Sequence, residues 1–352
     1  MRASLLDILV DPVSKSQLTL VDERVDGLEV TEGALTTPGG ATYSIRNGIP
    51  RFVLTDDAGQ RQTEDSFGYK WQRRDAWYSP EVVSACRSWL LQRYGFENAE
   101  AMRSFFGEHR RVLDAGCGSG FGSSLWLDPS WHEGRESEWI GADISEAIDV
   151  AQERLAQIPG TRFVQADILQ LPFAPETFDA IFSDGVLHHT PSTERALKSL
   201  APLLAPGGQI LFYVYRVKSP LREFTDDYIR EAIAGLQPDE AWEALKPLTR
   251  LGQALAELKT EVEVPEDVPL LGIKKGRYDV QRLIYWHFAK LYWRDTFSVE
   301  ENNHVNFDWY HPRYSWRHTE AEVRRWCDEA GLEITRFDDT QESGFSVRAI
   351  KR

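Results

Sequence analysis

Arg111-Val112-Leu113-Asp114-Ala115-Gly116-Cys117-Gly118-Ser119-Gly120-Phe121-Gly122 is the stretch on which the reading of this chain turns. A short apolar run meets an acidic residue, and glycines follow at every second position. The pattern predicts a buried strand that turns sharply into a helix. Glycine permits positive φ and has no Cβ to hold a ligand away. A helix N-terminus beyond it would offer free N–H groups to an anionic group. The turn is therefore expected to hold something small and partly anionic. A dinucleotide fingerprint needs G-x-G-x-x-G or A. Counted from Gly116, Gly118 or Gly120, its last position falls on Phe121, Ser123 or Leu125, so it fails each time. No G-x-x-x-x-G-K-[ST] occurs here either, which disfavours a triphosphate-binding loop.

Four further segments follow in order. Trp139-Ile140-Gly141-Ala142-Asp143-Ile144-Ser145 is an apolar strand ending in an acid, with Ser145 placed to cap the next helix. A carboxylate at such a strand tip can accept two sugar hydroxyls. Phe163-Val164-Gln165-Ala166-Asp167-Ile168 ends in the same way. Phe178 to Asp184 runs into Gly185-Val186-Leu187-His188-His189. Leu204-Ala205-Pro206-Gly207-Gly208 turns into the run Gln209 to Val214. Together with Asp-x-Gly-x-Gly-x-Gly, these segments resemble the class I S-adenosylmethionine (SAM) methyltransferases, of the type-11-like kind. The resemblance implies an α/β fold: a Rossmann-like seven-stranded sheet whose last strand inserts antiparallel. It also implies S-adenosyl-L-methionine as cofactor. Asp114, Gly116, Gly118 and Gly120 would line the methionine side, Asp143 with Ile144 the ribose, and Asp167 with Ile168 the adenine. Ser183 or Asp184 would lie near the methionine amino group.

The 352 residues suggest about two domains. A net charge of −15 argues against general nucleic-acid affinity, which needs basic surface. No run of ~18 apolar residues is present to span a membrane. The N-terminus does not resemble a secretory signal. Cys86, Cys117 and Cys327 are too far apart for a disulfide framework or a C-x-x-C metal pair. A cytoplasmic location is the expectation.

Residues 1–55 read as a small β domain. They resemble the zinc ribbons that accompany or activate methyltransferases, down to Tyr43-Ser44-Ile45-Arg46-Asn47-Gly48-Ile49-Pro50. The opening pair of cysteines is replaced by Asp11 and Ser14, so no thiolates remain there for zinc. No metal is expected. Residues 56–107 read as a polar, then helical linker that covers the cofactor, with helices from about Pro80 to Tyr94 and from Ala99 to Phe106. Within it, Tyr69 and Trp71 either shield the sulfonium, as an aromatic face attracts a cation, or anchor the linker. Residues 108–215 are the SAM-binding core, where strands alternate with helices. Residues 216–317 lack that alternation and read as a helical lid over the substrate, far longer than an ordinary connection. Its expected helices are Asp239 to Leu245 and Leu251 to Leu258. The core resumes over 318–352 with the capping box Thr319-Glu320-Ala321-Glu322 and two final strands.

Methyl transfer asks the protein mainly for alignment and exclusion of water, with a base only if the nucleophile must lose a proton. His188 and His189 lie at the carboxyl edge of the sheet, where ligands bind. Either they include a general base, or they only shape the pocket. In the lid, Tyr285 belongs to an aromatic stripe with Phe288 and Tyr292. The cluster Asn306 to His318 is expected mostly to pack, with His311, Arg313 and Tyr314 facing substrate. The expected reaction is SAM-dependent methylation of a small-molecule or glycan biosynthetic intermediate. The alternatives are a nucleic-acid or protein methyltransferase, or a SAM-binding protein that does not methylate.

Overall fold

A computed structural model describes residues 1–53, 57–73, 77–132, 134, 136–340 and 343–352. Near the N-terminus, β1 (Thr19–Asp26), β2 (Glu29–Thr36), β3 (Thr42–Arg46) and β4 (Ile49–Pro50) form an antiparallel sheet in that order. Helices α1 (Ala58–Gln72), α2 (Pro80–Tyr94) and α3 (Ala99–Gly107) follow. Then come β5 (Arg111–Ala115), α4 (Phe121–Ser124), β6 (Glu138–Asp143), α5 (Ala147–Leu155), β7 (Thr161–Gln165), β8 (Phe178–Asp184), α6 (Thr193–Leu200) and β9 (Leu204–Tyr215). The excursion holds α7 (Pro220–Ile233), α8 (Pro238–Glu257), β10 (Glu261–Val264), β11 (Gly276–Asp279), α9 (Val280–His287) and α10 (Val299–Tyr310). The chain ends in α11 (Glu320–Glu329), β12 (Leu332–Asp338) and β13 (Gly344–Lys351).

The large sheet has the order β12-β13-β9-β8-β5-β6-β7. Strands β5 to β9 pair in parallel, and β13 enters antiparallel to both β9 and β12. This is a Rossmann-like seven-stranded sheet with one antiparallel insertion. Its register explains the apolar runs: Ile140, Leu113, Ile181 and Ile210 lie side by side across four strands, all fully buried. Parallel strands covered on both faces are apolar throughout rather than alternating.

The N-terminal sheet is not a free-standing unit. Leu5, Leu9, Leu35 and Ile45 share one apolar core with Val164 and Ile181 of the large sheet and with Phe173 between β7 and β8. Its exit strand adds to the β7 edge, where Phe52 N–H donates to Gln165 O at 2.7 Å and Arg51 pairs with Asp149 at 2.7 Å. The expected boundary at residues 55 and 56 lies outside the described residues. In place of a thiolate, Asp11 accepts from Ser14 N–H at 2.7 Å and from the buried Tyr43 hydroxyl at 2.5 Å, which closes the opening loop.

Three expectations need correction. The segment before Trp71 is helical: α1 starts where the Asp57 side chain accepts Gln60 N–H at 2.8 Å. The two short helices expected in the lid are one, α8, continuous through Pro247. The lid also carries a hairpin, β10 with β11. A polar seam joins α8 to α10: Thr249 donates to Asn303 at 2.7 Å, and Asn306 donates to Thr249 at 2.9 Å. All three side chains are fully buried. Polar groups so placed must find partners, and here they fix the register of the two helices.

Candidate active site

The carboxyl ends of β5, β6, β7 and β8 open into a cavity of about 650 Å³. Gly116 and Gly118 form its floor at φ +85° and +53°. A Cβ at Gly116 would come 2.2 Å from Val186 Cγ1, and one at Gly118 would come 2.8 Å from Trp71 Nε1. The turn is pinned to its neighbour strand, because Gly116 N–H donates to Ala142 O at 2.7 Å and Gly118 N–H to the Asp143 carboxylate at 2.8 Å. The helix beyond is a single turn, α4. The expected helix dipole is therefore small, and the turn's own backbone does the positioning.

Acidic side chains gather at this end. Asp143 also accepts Ser145 N–H at 2.9 Å and its hydroxyl at 2.6 Å, so three of its about four lone-pair sites are filled. Burial raises its carboxyl above the usual range, against those hydrogen bonds. Asp114 is held by the Ser123 hydroxyl at 2.5 Å, and burial pushes it up to about 7. Asp167 caps Leu169 N–H at 2.9 Å and is raised, again mainly by burial, while Ile168 beside it offers an apolar wall. Glu64 reaches in from α1. Burial, with Asp65, Asp143, Glu146 and Asp167 nearby, carries it up to about 7.

Helix α1 covers the cavity with one stripe: Gln60, Thr63, Glu64, Phe67, Lys70 and Trp71. Lys70 pairs with Asp308 of α10, and the Tyr215 hydroxyl donates to the same carboxylate at 3.0 Å. Burial works to raise Asp308, but the Lys70 charge above all outweighs it and holds the group well below the carboxylate range. His189 lies beside this pair. Its Nδ1 is 2.7 Å from Tyr314 O. A carbonyl only accepts, so Nδ1 carries the proton and Nε2 is left as a bare acceptor. Nε2 is buried and, among the described residues, has no partner, and the residue lines the cavity. Burial lowers the imidazole to about 4, with Asp308 opposing, so the ring is neutral near pH 7.

The structure brings Asp114, Gly116, Gly118, Asp143, Ile144, Asp167, Ile168, His189 and Tyr285 to this one cavity. It places the other expected residues elsewhere. Gly120 packs on Ala151 and Leu155 at the start of α4. The buried Ser183 hydroxyl donates to Ala115 O at 2.8 Å, beneath the turn, whereas Asp184 lines the cavity and is paired with Arg93 at 3.1 Å. Tyr69 points away from Trp71 and packs on Trp242 and Phe307. His188 is stacked on Tyr215, ring centroids 3.8 Å apart, behind the cavity wall.

His311, Arg313 and Tyr314 face α1 rather than substrate. His311 Nδ1 meets Ser66 Oγ at 2.9 Å, Arg313 N–H donates to Gln62 at 2.7 Å, and the Tyr314 hydroxyl donates to Asp57 at 3.0 Å. Together they clasp the cover helix. Of the α1 stripe the sequence reading named only Trp71. The stripe has helical spacing, but its members are largely polar, so no apolar period announced it.

Residues 113–212 match the model of a family described as methyltransferase domain. A probable tRNA methyltransferase 9B of Mus musculus is 36% identical over 117 residues, 32% of this chain and 23% of that protein. An uncharacterized protein, syc1184_c of Synechococcus sp., is 28% identical over 281 residues, 77% of this chain and 54% of that protein. The magnesium protoporphyrin IX methyltransferase of Synechocystis PCC 6803, solved with bound SAM, aligns over 85% of this chain and 100% of its own. It does so at 14% identity and a TM-score of 0.43. The chain spans about a quarter of the length of the first curated relatives it matches. Residues 113–212 thus match a methyltransferase domain.

Among the described residues, no helix is long and apolar enough to cross a membrane.

Proposed function

We propose that this protein is a SAM-dependent methyltransferase that acts on a small-molecule or glycan acceptor. The carrying observation is the floor of the cavity, where the Gly116–Gly118 turn leaves room for no side chain and is tied to Asp143. The donor set fits the cofactor. Asp143 and Glu64 face the place of the ribose, and Asp167 with Ile168 that of the adenine. Asp114, which accepts only the Ser123 hydroxyl among the described residues, can take an ammonium group. Bound SAM would supply an electrophilic methyl group. The chain's own part is to orient, to exclude water under α1, and to accept a proton at His189 Nε2.

Two observations favour a small acceptor. The cavity has the size of a small-molecule site, and the chain is acidic, at −15. The tRNA methyltransferase relative matches only 32% of this chain. Residues 1–53 we read as a zinc-ribbon relative whose metal loop is now closed by Asp11. Incubation with methyl-labelled SAM and candidate acceptors is expected to release S-adenosylhomocysteine. No release with any acceptor class, despite tight cofactor binding, would favour a SAM-binding protein that does not methylate.

A pH dependence follows from Asp114. In the free protein its carboxyl titrates near 7, and a cationic amino group beside it favours the ionised form. Below that value the carboxyl must lose its proton on binding. Affinity for S-adenosylhomocysteine is therefore expected to rise up to about tenfold per pH unit towards pH 7 and to level off above it. Glu64 titrates in the same window. Calorimetry across this range on Asp114→Asn should show a flatter profile than wild type; an unchanged slope would remove Asp114 from the site.

A further inference from the structure

The cavity has a second end, built by the excursion after β9 and opposite in charge to the first. Lys218, Arg222, Lys290, Tyr285 and Trp309 line it. Adjacent strands lie about 4.8 Å apart, and β9 stands three places from β6. The end of β9, from which Lys218 follows, thus lies about 14 Å across the sheet from β6 and Asp143, with β8 and β5 between.

Four cations surround the single indole of Trp309. Lys290 Nζ is 4.6 Å from the ring centroid, Arg230 5.2 Å, Arg222 5.4 Å and Lys218 5.8 Å. The nearby carboxylates are already engaged. Asp226 accepts from Arg222 at 2.6 Å, from Trp309 Nε1 and the Tyr310 hydroxyl at 2.7 Å each, and from Lys290 N–H at 3.2 Å. Asp308 is bound by Lys70 and Tyr215. Glu223 is paired with Arg317 at 2.7 Å.

Lys290 is only 6% exposed, yet among the described residues its ammonium has no carboxylate within ion-pair distance. Its backbone is fixed by Asp226 and by the Tyr310 hydroxyl, so the side chain is presented to the cavity on a held segment. A buried cation without a counter-charge is costly unless something pairs with it. A ring face compensates only in part.

We propose that this end is the headgroup pocket of the acceptor. It takes a small molecule bearing a carboxylate or phosphate group, seated on Lys290 with Lys218 and Arg222, its apolar or aromatic body against Tyr285 and Trp309. That the anion is a methyl acceptor rests on the methyltransferase reading above; that an anion binds here does not. The pressure on Lys290 agrees. Burial, with Arg222 and Arg230 adding to it, pushes its ammonium down to about 7, and Asp308 and Asp226 do not restore it. An arriving anion would.

The test uses the full chain and three probes of one shape: benzoate, phenyl phosphate and the neutral benzyl alcohol. Binding is followed by ligand-observed NMR and calorimetry, with and without S-adenosylhomocysteine. Benzoate or phenyl phosphate is expected to bind at least about tenfold more tightly than benzyl alcohol, as a charge-assisted contact requires. Lys290→Met should remove that preference and leave S-adenosylhomocysteine affinity within about twofold, while Lys290→Arg retains it. Equal binding of the charged and neutral probes overturns the proposal, as does an undiminished preference in Lys290→Met. Should wild type fail to bind S-adenosylhomocysteine, the cofactor reading falls, and the probe comparison still decides the anion site.

Discussion

Asp143→Ala is expected to weaken S-adenosylhomocysteine binding at least about a hundredfold, close to 3 kcal/mol, with the fold retained. Two losses combine. In the proposed site the carboxylate is the acceptor offered to the ribose, and a hydrogen bond to a charged group contributes about 1.5–3 kcal/mol. The same carboxylate holds the turn before any ligand arrives, through Gly118 N–H at 2.8 Å and Ser145 at 2.6 Å. Without it the Gly118 N–H loses its partner, and the floor of the cavity relaxes. Asp143→Asn separates the two roles. Its amide oxygen can still take the Gly118 N–H, so the turn should stand, and affinity should fall by about tenfold only. Calorimetry gives the affinities, and thermal unfolding shows whether both variants are folded. Wild-type affinity in Asp143→Ala would move the cofactor site off this strand end.

How much of this was legible in the sequence depends on which kind of signal each residue carries. Strand ends in a parallel sheet announce themselves: an apolar run must stop where the chain leaves the core, and the first polar residue marks the rim. Asp114, Asp143 and Asp167 were found that way, and the structure places all three on one cavity. Helices α2 and α11 were also plain, through Pro80 and the Thr319–Glu322 box.

The cover was legible as a segment and at Trp71, but its polar members were not, because they face a wet cavity on one side. Gln60, Thr63, Glu64 and Lys70 recur at helical spacing without being apolar, so the usual period is hidden. His311, Arg313 and Tyr314 misled for a related reason. Aromatic and ionisable residues suit a substrate wall and a buried clasp equally well, and only the position of α1 decides between them. A lysine such as Lys290 gives no signal at all. Its meaning lies in the carboxylates that are occupied elsewhere, and those come from α7 and α10.

His189→Ala is expected to lower turnover by about 10²–10³-fold while S-adenosylhomocysteine affinity stays within about twofold, if the acceptor is a hydroxyl or amine that must lose a proton. The argument is one of tautomer and position. Tyr314 O fixes the proton on Nδ1, so Nε2 keeps its lone pair in the cavity, and burial keeps the ring neutral near pH 7. The imidazolium formed on proton transfer would lie beside Asp308, whose charge favours it. Since the free group titrates near 4, the acidic limb of kcat/KM from this residue should fall well below the usual histidine range, leaving it flat between about pH 6 and 8. His188 provides the contrast: buried behind Tyr215 and off the cavity, its replacement by Phe should alter stability before it alters proton transfer. Nitrogen-15 NMR can check the tautomer without an acceptor, as a pyridine-like Nε2 in wild type. Added imidazole should restore part of the turnover of His189→Ala. Full turnover in that variant, with the same pH profile, would leave His189 as a wall of the cavity and put the proton's destination on the acceptor or on water.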